Sequence, residues 1–277
     1  MPQVPETTLN SGAHMPVLGF GVFQVAPDEV EAPARLAIDS GYRLIDTASG
    51  YGNEQGVGRA VRASEVEREQ LFITTKLKNS DHGYDQARRA FDASLEKLGL
   101  DYVDLYLIHW PLPAQDRYVE TWKAFEKIYS EGRARSIGVS NFTVAHLGRL
   151  IDETGTLPAV NQVELHPRFT QEPLREFHQR HGIVTEAWAP IGQGKGLLED
   201  DTVTKLAREY GKSPAQVVLR WHLQIGDVSI PKSVTPDRIR SNIEIFDFEL
   251  SPDDVDLLGA LGPQDRIGPD PDTFNRS

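Results

Sequence analysis

Short apolar runs alternate along this chain with longer stretches in which apolar residues recur every three or four positions. The runs begin at Leu18, Arg43, Leu71, Val103, Ala134, Ala159, Ile183 and Val228, and their nearly continuous apolar character predicts strands buried on both faces. Between them the helical period predicts helices over 28–40, with Asp28 as the cap, around Val57, Ala60 and Val61, and over 84–98, 118–130, 144–153, 172–181, 203–210 and 214–224. Two more are expected near Pro236 and Pro252. Eight strands, each after the first preceded by a helix, predict an α/β fold of the (β/α)8 TIM-barrel type rather than an open sheet. Extended pieces at 9–13 and 15–17 predict a small hairpin ahead of the barrel that covers apolar surface, and helices and a tail follow the last strand. No repeat or low-complexity linker interrupts residues 1–277, so a single barrel domain is expected.

Composition narrows the ligands. The chain has 277 residues and is 39% hydrophobic, which suits the ~250 residues and sizeable core of one such barrel. Its 41 acidic residues outnumber 29 basic ones, for a net charge of -12. That balance opposes binding to nucleic acid or an anionic membrane and requires any anionic ligand to meet a local basic pocket. There are no cysteines, which removes disulfides, thiolate catalysis and sulfur-ligated zinc. The first residues lack a basic segment followed by an apolar run, and no stretch approaches the ~18 apolar residues of a membrane span, so cytoplasm is the expected compartment. Asn141-Phe142-Thr143 matches a glycosylation sequon, which carries no weight without a secretion signal.

Chemistry in a barrel of this kind gathers at the C-terminal ends of the strands, where the pattern puts Asp46, Lys76, His109, Asn141, Gln162 and Trp188. Asp46-Thr47-Ala48-Ser49-Gly50-Tyr51-Gly52-Asn53-Glu54 runs from a strand end into a helix entrance and sets an acid beside a phenol. A tyrosine, with a pKa of ~10, exchanges protons at neutral pH only where a cation favours its phenolate. Lys76 ends an apolar strand, where a buried lysine needs a partner. Paired with Asp46, it would supply that cation, lower the phenol's pKa and let Tyr51 act as a general acid. His109, at the mouth of the adjacent strand, would orient a carbonyl or share the proton. Taken singly, each has a plainer reading: Asp46 as a helix cap, Tyr51 as a rim residue, His109 as a core imidazole. Four polar residues at successive strand mouths argue against packing alone.

Other signals are weaker. His178 and His181 have no carboxylate placed to complete a metal site and read as exposed polar positions, so no metal is expected. Gly19 and Gly21 form a lone GxG, with Gln24 where a dinucleotide fingerprint has its third glycine. Gly192-Gln193-Gly194-Lys195-Gly196 reads equally as a cradle for a pyrophosphate and as a plain flexible loop. In Ile230-Pro231-Lys232-Ser233-Val234-Thr235-Pro236-Asp237-Arg238, two cations and two hydroxyls converge at a helix entrance. That suits a phosphate, with a solvated basic turn as the alternative.

Several motifs together resemble the aldo-keto reductase family, nearly end to end, and within it the prokaryotic branch of 2,5-diketo-D-gluconate reductases. They are Gly41-Tyr42-Arg43-Leu44-Ile45-Asp46-Thr47-Ala48 with Tyr51, Asn53 and Glu54; Thr75-Lys76; Leu107-Ile108-His109-Trp110-Pro111; Ile137-Gly138-Val139-Ser140-Asn141-Phe142; Asn161-Gln162-Val163-Glu164; and Ile230-Pro231-Lys232-Ser233. The resemblance implies a barrel that binds extended NADPH without a Rossmann domain and transfers hydride to the carbonyl carbon of a small molecule, as a monomer. It implies Tyr51 as proton donor, Lys76 and Asp46 as its tuners and His109 as the group that orients the carbonyl. Ser140, Asn141 and Gln162 match positions that hold the carboxamide, and Trp188 the aromatic that stacks on the nicotinamide. Lys232, Ser233, Val234, Thr235 and Arg238 match positions around the 2′-phosphate, with Val22, Ala189 and Asn242 also on the cofactor side. Phe23, Trp110 and Lys78 would line the substrate side. Two residues depart from the pattern. Ser241 replaces a usual Glu at the adenine, and Lys78 replaces a usual pocket Trp, adding a cation suited to a carboxylate on a sugar-acid substrate.

Two competing readings are a barrel that binds NADPH for sensing or structure with little turnover, and a hydrolase or isomerase working with paired carboxylates. The intact set of Asp46, Tyr51, Lys76 and His109 argues against the first. Against the second, only Asp46 is clearly a carboxylate at a strand mouth, with Glu164 and Glu186 read as displaced from it or as packing.

Overall fold

The computed structural model describes residues 4–276. Strands β1 (Glu6–Thr8) and β2 (His14–Pro16) form an antiparallel hairpin. Its arms differ from the expected ones, because 9–13 is the turn: Gly12 N donates to Leu9 O and Leu9 N to Ala13 O. Glycine with φ +85° permits that tight reversal. The next eight strands are β3 (Gly19–Gly21), β4 (Leu44–Asp46), β5 (Phe72–Leu77), β6 (Val103–Ile108), β7 (Ala134–Ser140), β8 (Val160–Glu164), β9 (Val184–Trp188) and β10 (Val228–Ser229). They lie parallel in that order, and a bridge between Leu18 and Ser229 joins the last to the first. The sheet therefore closes into a barrel, as the alternation predicts, and the GxG of β3 is part of its wall rather than of a Rossmann turn.

The helices are α1 (Glu31–Asp39), α2 (Glu54–Ala63), α3 (Tyr84–Leu98), α4 (Tyr118–Ser130), α5 (Val144–Thr154), α6 (Glu172–His181), α7 (Asp201–Tyr210), α8 (Pro214–Gln224), α9 (Pro236–Asn242) and α10 (Pro252–Gly259). Asp28 does not cap α1, which starts at Glu31 after Val30 with no side-chain cap. The chain from Ala26 first makes a separate turn, Glu29 N and Val30 N both donating to Ala26 O.

Because side chains alternate along a strand, residues two apart share the barrel interior. Leu44, Phe72, Leu105, Leu107, Val160 and Val228 form the lower inner layer, and Leu9 and Met15 of the hairpin close it from below. The alternate residues, such as Ile45, Ile73, Tyr106 and Ala187, join the outer core beneath the helices. One step above the apolar inner layer, the same period turns Asp46, Lys76, Gln162 and Glu186 inward. All four are buried. A buried polar layer on an apolar floor is the setting of the site.

Outward from β8, Asn161 Nδ2 bonds His178 Nε2 at 2.9 Å, and His178 Nδ1 meets Thr185 Oγ1 at 2.8 Å. His178 is thus fully buried rather than exposed as its spacing with His181 suggests, because two polar side chains on adjacent strands satisfy both ring nitrogens.

Candidate active site

Lys76 is the hub. Its Nζ donates to Asp46 Oδ1 at 2.6 Å, to Thr47 O at 3.0 Å and to Tyr51 Oη at 3.3 Å, which uses every proton of the ammonium. Burial pushes this lysine's pKa down, but Asp46, Tyr51 and Glu186 together outweigh it and leave the ammonium above its usual range. Gln162 Nε2 donates to Asp46 Oδ2 and to Glu186 Oε2, each at 2.8 Å. Burial and the charge of Asp46 push Glu186 up to about 8.

Tyr51 sits on a 3-10 turn over Ser49–Tyr51 that leaves β4 and ends at left-handed Gly52. Ser49 Oγ donates to Lys76 O at 2.9 Å and fastens the turn to β5. Asn53 accepts from Thr47 Oγ1 and donates to Val22 O and Val25 O, tying the turn to the end of β3. The phenol's pKa departs from expectation in direction. Lys76 does lower it, but burial raises it more and Asp46 adds to the rise, so Tyr51 stays above the usual tyrosine range. The sequence identifies the charges but not the depth of burial; the consequence is a firmly protonated phenol. His109 meets Tyr51 edge-on with ring centroids 5.6 Å apart. Burial and then the Lys76 cation lower the imidazole's pKa to about 3. It is therefore neutral near pH 7 and able to donate one hydrogen bond.

On the neighbouring strand ends, Ser140 Oγ donates to Gln162 O at 2.8 Å, and Asn141 Nδ2 donates to His109 O and Ser140 Oγ. Trp188 Nε1 donates to Asn141 Oδ1 at 2.8 Å, which fixes the indole plane. Asn141 and Ala189 both take left-handed backbone, at φ +63° and +53°, a conformation that costs non-glycine residues of order 1 kcal/mol or more and persists where surroundings over-determine it. The burial of Asn141 also takes it out of reach as a glycosylation acceptor. With Gln162 Nε2 held by two carboxyls, its Oε1 has no partner among the described residues. These amide groups and an aromatic plane suit a nicotinamide carboxamide and ring.

Lys232 and Arg238 are exposed and join no ion pair among the described residues. Thr235 N donates to Ser233 Oγ at 3.1 Å, Val234 is exposed beside them, and Asn242 is buried four residues beyond Arg238 at the end of α9. Two free cations flanking a hydroxyl fit a phosphate. In the 192–196 loop Gly192 N donates to Ala189 O and Lys195 N to Gly192 O.

Phe23 is 46% exposed, with its ring 5.1 Å from that of Tyr51. Lys78 is exposed just past β5. A Cβ placed on Gly50 would lie 4.0 Å from Lys78 Cγ and 3.9 Å from His109 Nδ1, so both flank the turn that carries Tyr51. Trp110 packs at a tilt against Phe274, centroids 4.4 Å apart, which reveals a feature the sequence reading missed: the tail past α10 crosses the mouth. Ile267 N and Gly268 N donate to the Glu164 carboxylate, which His166 Nε2 also contacts. Farther on, Ala114 N donates to Asn275 Oδ1 and Asn79 Nδ2 to Arg276 O. Glu164 is thus neither displaced nor mere packing but a clamp at the end of β8, and Glu186 belongs to the inner polar layer. A charge inside an apolar strand is the signal that could have found both, as it found Lys76.

Among the described residues no helix is long and apolar enough to cross a membrane. Residues 17–262 match the model of the aldo/keto reductase family. An aldo-keto reductase of Mycolicibacterium smegmatis is 53% identical, over 98% of this chain and 98% of its own length. The methylglyoxal reductase DkgA of Escherichia coli K12 is 51% identical, over 96% of each chain. The crystal structure of a point mutant of Gox0644 in complex with NADPH superposes with a TM-score of 0.94, at 45% identity and 99% coverage of both chains.

Proposed function

This chain belongs to the aldo/keto reductase family, and from that membership and the geometry above we propose that it is an NADPH-dependent carbonyl reductase with Tyr51 as its proton donor. The observation that carries the reading is the single buried ammonium of Lys76 bonded at once to Asp46 and to the Tyr51 hydroxyl. When bound, the reduced nicotinamide supplies the hydride. Ser140, Asn141 and Gln162 would hold the carboxamide, Trp188, Val22 and Ala189 would contact the ring, and Lys232, Ser233, Val234, Thr235, Arg238 and Asn242 would hold the phosphate-bearing end.

The chain's own residues do the rest. Neutral His109 donates a hydrogen bond to the substrate carbonyl and orients it. Tyr51, protonated at neutral pH, gives its proton to the developing alkoxide. The Lys76 cation stabilises the phenolate left behind, and Asp46 keeps that lysine charged. All four groups come from one chain, so a monomer suffices. Phe23, Trp110 and Lys78 line the substrate side, where small aldehydes, α-dicarbonyls and keto-sugar acids such as 2,5-diketo-D-gluconate are the candidates. The methylglyoxal reductase relative supports the α-dicarbonyls, and the exposed Lys78 supports an acid group. The test is Tyr51→Phe, assayed by NADPH consumption against such a panel. The variant should bind NADPH normally and lose most carbonyl reduction; full activity would remove Tyr51 from its role.

A further inference from the structure

The inner polar layer holds one group that this chemistry leaves unused. Glu186 is fully buried on β9. Its Oε2 accepts from the Gln162 nitrogen that also serves Asp46, while its Oε1 meets no partner among the described residues. Keeping a carboxyl in such a place is costly. We propose that Glu186, acting through the Gln162 amide on Asp46, is a positioning residue that holds the Asp46, Lys76 and Tyr51 chain in its proton-donating form. The proposal rests on the Tyr51 role assigned above.

Two features of the geometry carry it. The first is orientation. With a carboxyl oxygen on either side of its nitrogen, Gln162 cannot turn over without setting its own oxygen against Asp46. Glu186 thereby pins the amide from the side opposite Asp46 and leaves Oε1 for the carboxamide site. The second is charge balance. The charged groups facing Glu186 are Asp46 on β4 and Lys76 on β5, with the phenol of Tyr51 beyond; β8 presents neutral Gln162, and Val228 is its register partner on β10. With Glu186 protonated, one carboxylate faces one ammonium. With Glu186 ionised, two carboxylates share that ammonium. The added negative charge raises the pKa of Tyr51 further, and a phenol harder to ionise is a poorer acid. Burial and Asp46 put the changeover at about 8, so the neutral form prevails at neutral pH.

The experiment compares the pH dependence of kcat/KM for carbonyl reduction in the unaltered chain and in Glu186→Gln, which keeps an acceptor for Gln162 and never ionises. The unaltered chain should lose roughly five- to tenfold as pH rises through about 8. Whatever its rate at neutral pH, Glu186→Gln should lack that limb. Profiles of the same shape in both would overturn the inference while leaving the Tyr51 assignment intact. An unaltered chain that reduces no carbonyl would overturn the assignment and the inference together. A second measurement needs no variant: with isotope-labelled glutamate, the infrared carbonyl band of a buried protonated acid should be present at neutral pH and vanish on titration through about 8. Its absence at neutral pH would also overturn the proposal.

Discussion

Replacing Lys76 by Met keeps most of the side chain's volume and deletes the ammonium at the centre of the site. Two costs follow. The cation lies 3.3 Å from the Tyr51 oxygen, where two unit charges at an effective dielectric of about 20 would attract by about 5 kcal/mol, an upper bound on what it gives the forming phenolate. A well-placed general acid contributes about 10²–10⁴-fold, which at 1.36 kcal/mol per decade is about 3–5 kcal/mol and fits under that bound. We expect kcat to fall by about 10³-fold with NADPH binding retained. The second cost is structural. Asp46 stays behind, buried, its partner gone, a loss of about 3–5 kcal/mol. Adding Asp46→Asn to Lys76→Met should therefore restore much of the stability and none of the rate. Steady-state NADPH consumption and urea unfolding read the two effects separately. A Lys76→Met enzyme within about tenfold of the original kcat, or a double variant that regains its rate along with its stability, would refute the reasoning.

Two further outcomes can be checked. Lys232→Ala combined with Arg238→Ala should raise the KM for NADPH far more than that for NADH, since only the former carries the extra phosphate; equal effects on both would dismiss the phosphate site. His178 gives a pH signature in stability. Burial, then the charges of Arg175 and His181, lower its pKa from 6.5 to about 3. The unfolded chain takes up that proton first, so stability declines as pH falls from 6.5 toward 3, by about 2 kcal/mol at pH 5 from this residue alone. Urea unfolding of His178→Gln should show less acid loss than the unaltered chain, and an identical loss would contradict the assignment.

Much of this was legible because a barrel repeats one rule. Each barrel strand lies in a short, largely apolar run between helical periods, so strand starts could be read to within a residue. Lys76 was legible for the opposite reason: a charge in an apolar run demands a partner. Glu186 and Glu164 bear the same mark, but their partners are an amide on one neighbour and the backbone of a distant tail, which no spacing announces. That tail lacks any hydrophobic period, and its path depends on a carboxylate receiving two backbone N–H groups. The direction of the Tyr51 shift was hidden too, because it is a contest between charge and depth, and depth is a property of the folded molecule.

The two glycines of β3 offer a last consequence. As a nucleotide fingerprint they fail, yet a cylinder made of eight staves needs clearance at the joint where the last meets the first. A Cβ at position 19 would run into Leu44 Cγ of the neighbouring β4 at 2.4 Å and, on the closing side, come within 3.0 Å of Ile230 Cγ2; one at 21 would come within 3.0 Å of Ile230 O. The joint itself is held by little more than Ser229 N on Val17 O and Gly21 N on Pro231 O. Atoms that are missing set how tightly the hoop can draw shut, and Lys232 stands immediately beyond that seam.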